Sequence, residues 1–387
     1  MASFYRDTWA EVNLNAIATN VTNIKAILPE NVEMMAVVKA NGYGHGAVDV
    51  AKTALASGAT FLGVAILDEA IALRDAGITA PLLVLGYVRP EYVKIAAEKD
   101  IILTVFQPDW IEEASAYIEN KDMKVKYHLK LDSGMGRIGI RSADEGKALI
   151  RTIKKYPAFI VHGLFTHYAT ADEIDQTYFN MQHDRFEKMV QLLEEELGES
   201  VRYKHSANSA ATLRFAERCF NLVRVGISMY GLSPSEEIKD ILPVSLVEAF
   251  SLHSRITQVK KMSEGERISY GATYGTKDQE WIATIPVGYA DGWIRAHGTG
   301  SILVNGKRRP IVGRICMDQL MISLDEEVEI GTKVTLIGKQ GKDHITISEA
   351  AKRLNTITYE IPCTISSRVP RVMKQNDEVV HVYNKTL

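Results

Sequence analysis

Between residues 33 and 231 the chain alternates two textures. Short apolar or β-branched runs recur: "EMMAVVKA", "FLGVAI", "PLLVLG", "ILTVF", "KVKYHLKLD", "IVHGLFTH", "VRYKHSAN" and "LVRVGISMY". Between them apolar residues return every three or four positions, most clearly in "QTYFNMQHDRFEKMVQLLEEELG". The first texture belongs to strands buried on both faces, the second to amphipathic helices. Gly58, Gly77 and Gly198 stand where helices need a left-handed end. Eight strands, each with room for one helix after it, predict an α/β fold of the closed (β/α)8, TIM-like barrel type. An open doubly wound sheet is the alternative, but no G-x-G-x-x-G follows the first strand.

After about residue 245 the pattern changes to many short strands, such as "SLHSRITQVKKM", "EWIATIPVGYA" and "SILVNGKRRPIVGRI", with "ISEAAKRLN" as the one clear helix. The expected division is a barrel domain over residues 1–244 and a mostly-β domain over 245–387. The opening strand, residues 8–12, can pair with either, and its pattern does not decide.

Composition changes little in this picture. The 387 residues are 46% hydrophobic and 24% charged, with a net charge of −3. That balance gives no reason to expect nucleic acid or an anionic membrane as partner. No apolar run reaches bilayer length, and "MASFYRDTWAEV" lacks the basic start and apolar core of a signal peptide, so a cytoplasmic protein is expected. Cys219, Cys316 and Cys363 are odd in number and widely spaced, which suggests neither a disulfide framework nor a metal site.

Barrel enzymes place their chemistry at the C-terminal ends of the strands. Here those ends carry Lys39 and Tyr43, then Lys130 and Asp132 with Arg137 beyond, His167, Asn208 with Ser209, and Arg224 with Gly226 and Ile227. Loops after the seventh and eighth strands are a frequent phosphate site. A lysine in a partly apolar pocket loses its proton readily and attacks aldehydes. Pyridoxal 5′-phosphate is the common cofactor that needs both features. Taken singly, Ser209 reads as a helix cap and Lys39 as a rim lysine; together they favour the cofactor.

These residues sit in segments that resemble one family. "VVKANGYGHG", "LDSGMGRIG", "FTHYATAD", "ANSAATLRF", "NLVRVGISMYGL", "SYGATY", "IPVGYADGW", "VGRICMDQLMI" and "CTISSRVPR", in this order and across both domains, are similar to bacterial alanine racemases. The family's usual pattern has Ala where Gly42 stands. The resemblance implies a pyridoxal-phosphate enzyme that interconverts L- and D-alanine, supplies D-alanine for peptidoglycan and works as a homodimer with shared sites. Lys39 would carry the cofactor and act as base on one face of the substrate Cα; Tyr270 of the partner subunit would serve the other face. Tyr43, Ser209, Gly226, Ile227 and Tyr359 would hold the phosphate. Arg137 would bond the phenolic oxygen, His167 would lie near the ring, and Arg224 would face the ring nitrogen. Met317, Asp318 and Tyr289 would shape the substrate end.

Lys130 has two readings: pairing with Asp132 or solvent, or, as in the family, carbamylation that turns a cation facing Arg137 into an anion. His183 and His205 read as surface or packing residues, and His45 only as the start of a helix. A serine or broad-specificity racemase is the nearest alternative function. A decarboxylase on the same architecture would want an acid rather than Arg224 at the ring nitrogen. A non-catalytic cofactor carrier would leave Tyr270 without a purpose.

Overall fold

The computed structural model describes residues 4–118 and 122–384. After an opening strand β1 (Thr8–Asn13), the chain lays down β2 (Glu33–Val37), β3 (Phe61–Val64), β4 (Leu82–Val84), β5 (Leu103–Val105), β6 (Val125–Lys130), β7 (Phe159–Phe165), β8 (Tyr203–His205) and β9 (Leu222–Val225). β2 to β9 coincide with the eight apolar runs. They are parallel, and they close into a ring. The Leu83–Ile102 bridge joins β4 to β5, and β9 pairs with β2 through Leu222 opposite Glu33. Between β8 and β9 the Arg224 amide donates to the Ala207 carbonyl at 3.0 Å. The Asn221 side chain knits the same seam, bonding the Lys204 amide and the Arg202 carbonyl. Closure excludes the open-sheet alternative.

The ring is filled by Met35, Phe61, Leu83, Ile102, Tyr203 and Leu222, all buried. Intervening helices cover its outside, the longest being Thr177–Leu197, which Gly198 ends at φ +85°. No helix among the described residues is long and apolar enough to cross a membrane.

The molecule divides into two compact units: residues 16–42 with 47–247, and a second made of the chain up to residue 15, residues 43–46 and everything from 248 on. The second unit holds an eleven-stranded sheet among the described residues. In it β1 lies between β10 (Phe250–Arg255), antiparallel, and the parallel strand Arg371–Gln375. The opening strand therefore belongs to the β-rich unit, a pairing its own residues do not dictate. A short second helix, Glu360–Thr364, accompanies Ile347–Leu354 there.

The turn after β2 is left-handed. Ala40, Asn41, Gly42 and Tyr43 have φ of 53°, 52°, 62° and 51°. Each non-glycine residue in that region costs roughly 1–2 kcal/mol, so the turn must be held by its bonds. Gly42 donates to the Val38 carbonyl, Asn41 accepts from the Ala47 amide, and Glu69 accepts from the amides of Ala40 and Ala65. A Cβ on Gly42 would also meet the Ala47 nitrogen at 3.2 Å. Gly42→Ala is expected to lower the unfolding free energy by about 1 kcal/mol, read from the denaturant midpoint; an unchanged midpoint would show that the turn carries no such strain.

Candidate active site

In the barrel unit, parallel strands direct the ends of β2, β6, β7, β8 and β9 to one rim. Lys39 follows β2 and starts the left-handed turn, so its position is set by a backbone that few sequences adopt. Ser209 opens the short helix Ser209–Arg214, capped by Asn208 rather than by its own hydroxyl. That hydroxyl instead accepts from the Gly226 amide at 2.9 Å, tying the loops after β8 and β9 together. Ile227 begins the tight turn that follows.

Arg224, on β9, is 4% exposed. Its guanidinium donates to the carbonyls of His205, Thr166 and Ser206 and to the ring nitrogens of His205 (2.8 Å) and His167 (3.1 Å). Every one of these acceptors is neutral. Burial lowers the Arg224 pKa to about 10, which leaves the group charged at neutral pH. Because guanidinium only donates, Nδ1 of His167 must be an acceptor and its proton must sit on Nε2. Burial, then Arg224, Arg137, Lys130 and Lys39 in turn, hold the His167 pKa well below its usual value. The ring is a neutral imidazole with four basic side chains close enough to act on it.

Lys130 ends β6 in the barrel interior, 2% exposed, its amine donating to the Leu131 carbonyl at 2.8 Å and lying over the Phe165 ring. Burial first, then Arg224, lower its pKa to about 7; Asp132 opposes the shift and Arg137 adds to it. The Asp132 carboxylate accepts from the amides of Gly134 and Gly136, and the Lys130 amine bonds the backbone rather than Asp132, one of its two suggested partners. Arg137 lies exposed in the same loop.

The second unit contributes a separate cluster. Tyr270 is 67% exposed and Met317 52%. With Ser269, Gly271, Cys316, Asp318 and Gln319 they line a shallow depression. Tyr289 is drawn to the same loop, its amide donating to the Cys316 carbonyl. Asp318 is salt-bridged to Arg368 at 2.8 Å. The backbone before Tyr270 is strained: Ser269 has φ +64° with ψ 180°, a region costing on the order of 1–3 kcal/mol for a residue with a side chain. Tyr43 and Tyr359 form a tilted ring pair 6.2 Å apart, and burial raises the Tyr43 pKa. His45, rather than merely opening a helix, is fully buried, bonded to the Tyr43 carbonyl and set edge-on to Phe250.

The comparisons agree across both units. Residues 12–234 match the alanine racemase N-terminal domain and residues 249–373 the alanine racemase C-terminal domain. The chain belongs to the alanine racemase family. It is 54% identical over 384 residues to the alanine racemase of Geobacillus kaustophilus, covering 99% of both. The crystal structure of alanine racemase from Bacillus anthracis with bound L-Ala-P is similar with a TM-score of 0.97 at 52% identity, over 100% of this chain and 99% of that one. A histidine racemase from Leuconostoc mesenteroides is also similar, with a TM-score of 0.88 at 32% identity over 96% and 99%.

Two residues that support this rim had no assigned role in the sequence. His205 is no surface residue: fully buried, it supports Arg224 directly. Its parity with Tyr203 on β8, both pointing into the barrel, was the available signal. Glu69 had none, since only the folded turn brings its carboxylate to the Ala40 amide. His183 is a packing residue, as expected, bonded to the Tyr168 hydroxyl at 2.7 Å.

The buried rings predict an acid-labile fold. Burial holds His128, His167 and His205 well below the ordinary imidazole value of 6.5, so between those values the unfolded chain binds protons that the native one does not. Stability is then complete above that pH and falls below it, by about 1.4 kcal/mol per pH unit for each ring. Denaturant midpoints should drop between pH 7.5 and 5.5; identical midpoints would mean that these rings are charged in the native state.

Proposed function

We propose that this chain is a pyridoxal-phosphate-dependent racemase acting on alanine, a cytoplasmic homodimer that supplies D-alanine for the cell wall. The observation that carries this is the barrel rim, where Lys39, Lys130, Arg137 and Arg224 act on one neutral histidine and the nearby carboxylate is engaged by backbone amides. Such a rim suits a ligand bearing a phosphate, a phenolic oxygen and a carboxylate. The donor set therefore fits pyridoxal phosphate: a strand-end amine for the aldehyde, and for the phosphate the joined loops of Ser209, Gly226 and Ile227.

When bound, that cofactor withdraws electrons from the substrate's Cα and makes its hydrogen acidic. The remaining tasks fall to the chain. Ser209, Gly226, Ile227, Tyr43 and Tyr359 hold the phosphate, and Arg137 bonds the phenolic oxygen. His167 lies near the ring. Arg224 faces the ring nitrogen and, as an obligate donor, supplies it no proton, which keeps electron withdrawal moderate and favours return of the proton to Cα. Lys39 takes or returns that proton on one face. Tyr270 of the partner subunit does so on the other, because a single base would only restore the starting hand. Met317, Asp318 and Tyr289 shape the substrate end. An exposed tyrosine on a strained turn supports a role that a partner subunit completes.

Carbamylation of Lys130 belongs to the same reading, supported by its burial and an amine pKa near 7, since the neutral amine is the form that adds carbon dioxide. Protein exchanged into 13C-labelled bicarbonate should show a carbamate resonance that is missing in Lys130→Ala. Its absence from the unmodified chain would leave Lys130 as a buried amine.

The decisive experiment mixes Lys39→Ala and Tyr270→Ala proteins, each expected to be inactive, and follows D-alanine from L-alanine by chiral chromatography. A shared site should return up to about a quarter of wild-type activity, from the one intact site in each mixed dimer. No recovery would place both bases in one chain. Wild-type protein that makes no D-alanine would overturn the function itself. Several D-amino acids from a mixture would favour the serine or broad-specificity alternative, which the likeness to a histidine racemase keeps in view.

A further inference from the structure

Behind Arg224, away from the rim, three more histidines continue its hydrogen bonds through the barrel core. His205 Nε2 meets His128 Nδ1 at 2.8 Å, and His128 Nε2 meets His162 Nδ1 at 3.3 Å. His128 and His205 are fully buried; His162 is partly exposed on β7. Among the described residues no group of His, Cys, Asp and Glu could hold a metal ion, so the column is not a metal site.

The column has one permitted polarity. Arg224 donates to His205 Nδ1, so the His205 proton sits on Nε2 and points at His128 Nδ1. That nitrogen must accept, which puts the His128 proton on Nε2, pointing at His162 Nδ1. Protonating or flipping any ring would set donor against donor somewhere along the line. All three pKa values are lowered, mainly by burial, which keeps the rings neutral as this polarity requires.

The strands are shaped around it. β6 and β7 slip register where Tyr127 opposes Val161 and His128 opposes Gly163, which leaves His162 as the extra residue of a bulge. A Cβ on Gly163 would meet the His128 ring at 2.7 Å, so that glycine is what admits the ring. Phe165 stacks on His205 with centroids 4.8 Å apart and planes 8° from parallel.

We propose that His128 and His162 are positioning residues: through His205 they lock the tautomer that accepts from Arg224 and so hold its guanidinium in place for the ring nitrogen, an inference that rests on the function proposed above. Neither residue touches the reacting groups.

The test uses the cofactor-loaded enzyme with 15N-labelled histidine. Imidazole 15N spectra, assigned with single-histidine variants, should show His205 and His128 neutral and protonated on Nε2. His128→Phe keeps a flat ring without the acceptor and should give mixed His205 tautomers, with kcat down about tenfold, as when other outer hydrogen-bond partners of a site are removed, and KM for alanine unchanged. His128→Asn offers an oxygen near the Nδ1 position and should restore both readings. A charged or Nδ1-protonated His205 in the wild type would overturn the proposal, as would wild-type kcat in a folded His128→Phe. Should that variant fail to fold, the wild-type spectrum and the exposed-end variant His162→Phe decide: it should loosen the His128 tautomer, and an unaltered spectrum counts against the column. Absence of racemisation with the expected tautomers would count against the function alone.

Discussion

The barrel site depends on one buried guanidinium that, among the described residues, has no acid to pair with. Taking a charge out of water costs several kcal/mol unless hydrogen bonds replace its hydration. Arg224 meets that cost with carbonyls and imidazole nitrogens from the ends of two neighbouring strands, β7 and β8. The arrangement explains its surroundings. Neighbouring imidazoles must stay neutral to accept, and their low pKa values follow from burial beside a fixed positive charge. Lys130, lowered first by burial, feels the same charge as well. A carboxylate in this position would have opposed the effect of burial rather than added to it.

The residues assigned the two bases both stand on backbone that resists ordinary sequences. Lys39 leads into four successive left-handed residues, and Tyr270 follows a serine at φ +64°. Such conformations persist only where the surroundings over-determine them. Around Lys39 those surroundings are the Glu69 carboxylate and the Asn41 side chain. Around Ser269 they include a short hydrogen bond from its hydroxyl to the Arg314 carbonyl, at 2.5 Å. In each case rigidity comes from side-chain bonds to the backbone.

Much of this was legible in the residues because a parallel barrel writes itself as repeated apolar runs. Strands buried on both faces have few polar positions, and those at strand ends stand out: Lys39, Lys130, Arg224. The same logic hid the role of His205, although His128 shares its strand's alternation with Lys130 and Asp132. A polar ring in mid-strand looks like an error of packing until its partner on the next strand is known, and that partnership is set by register. The slip between β6 and β7 that brings His162 to His128 leaves no trace in a pattern of period two. Glu69 and the place of β1 were hidden for a related reason, since both are decided by partners dozens to hundreds of residues away.

Substrate choice lies on a different level from all of this. In the proposed function the guanidinium, the neutral histidines and the strand-end lysine serve the cofactor and the hydrogen on Cα, which every amino-acid substrate shares. Nothing in them measures a side chain. That a histidine racemase is similar to this chain over 96% of its length agrees with the general separation of fold from specificity. Discrimination between a methyl group and a larger side chain must then come from the walls around Cα, where one methylene is worth about 1–3 kcal/mol. The exposed Met317 and Tyr289, on loops of the β-rich unit, are the kind of residue that can change without disturbing Arg224. A shared reaction and a variable substrate can coexist on one scaffold where different loops carry them.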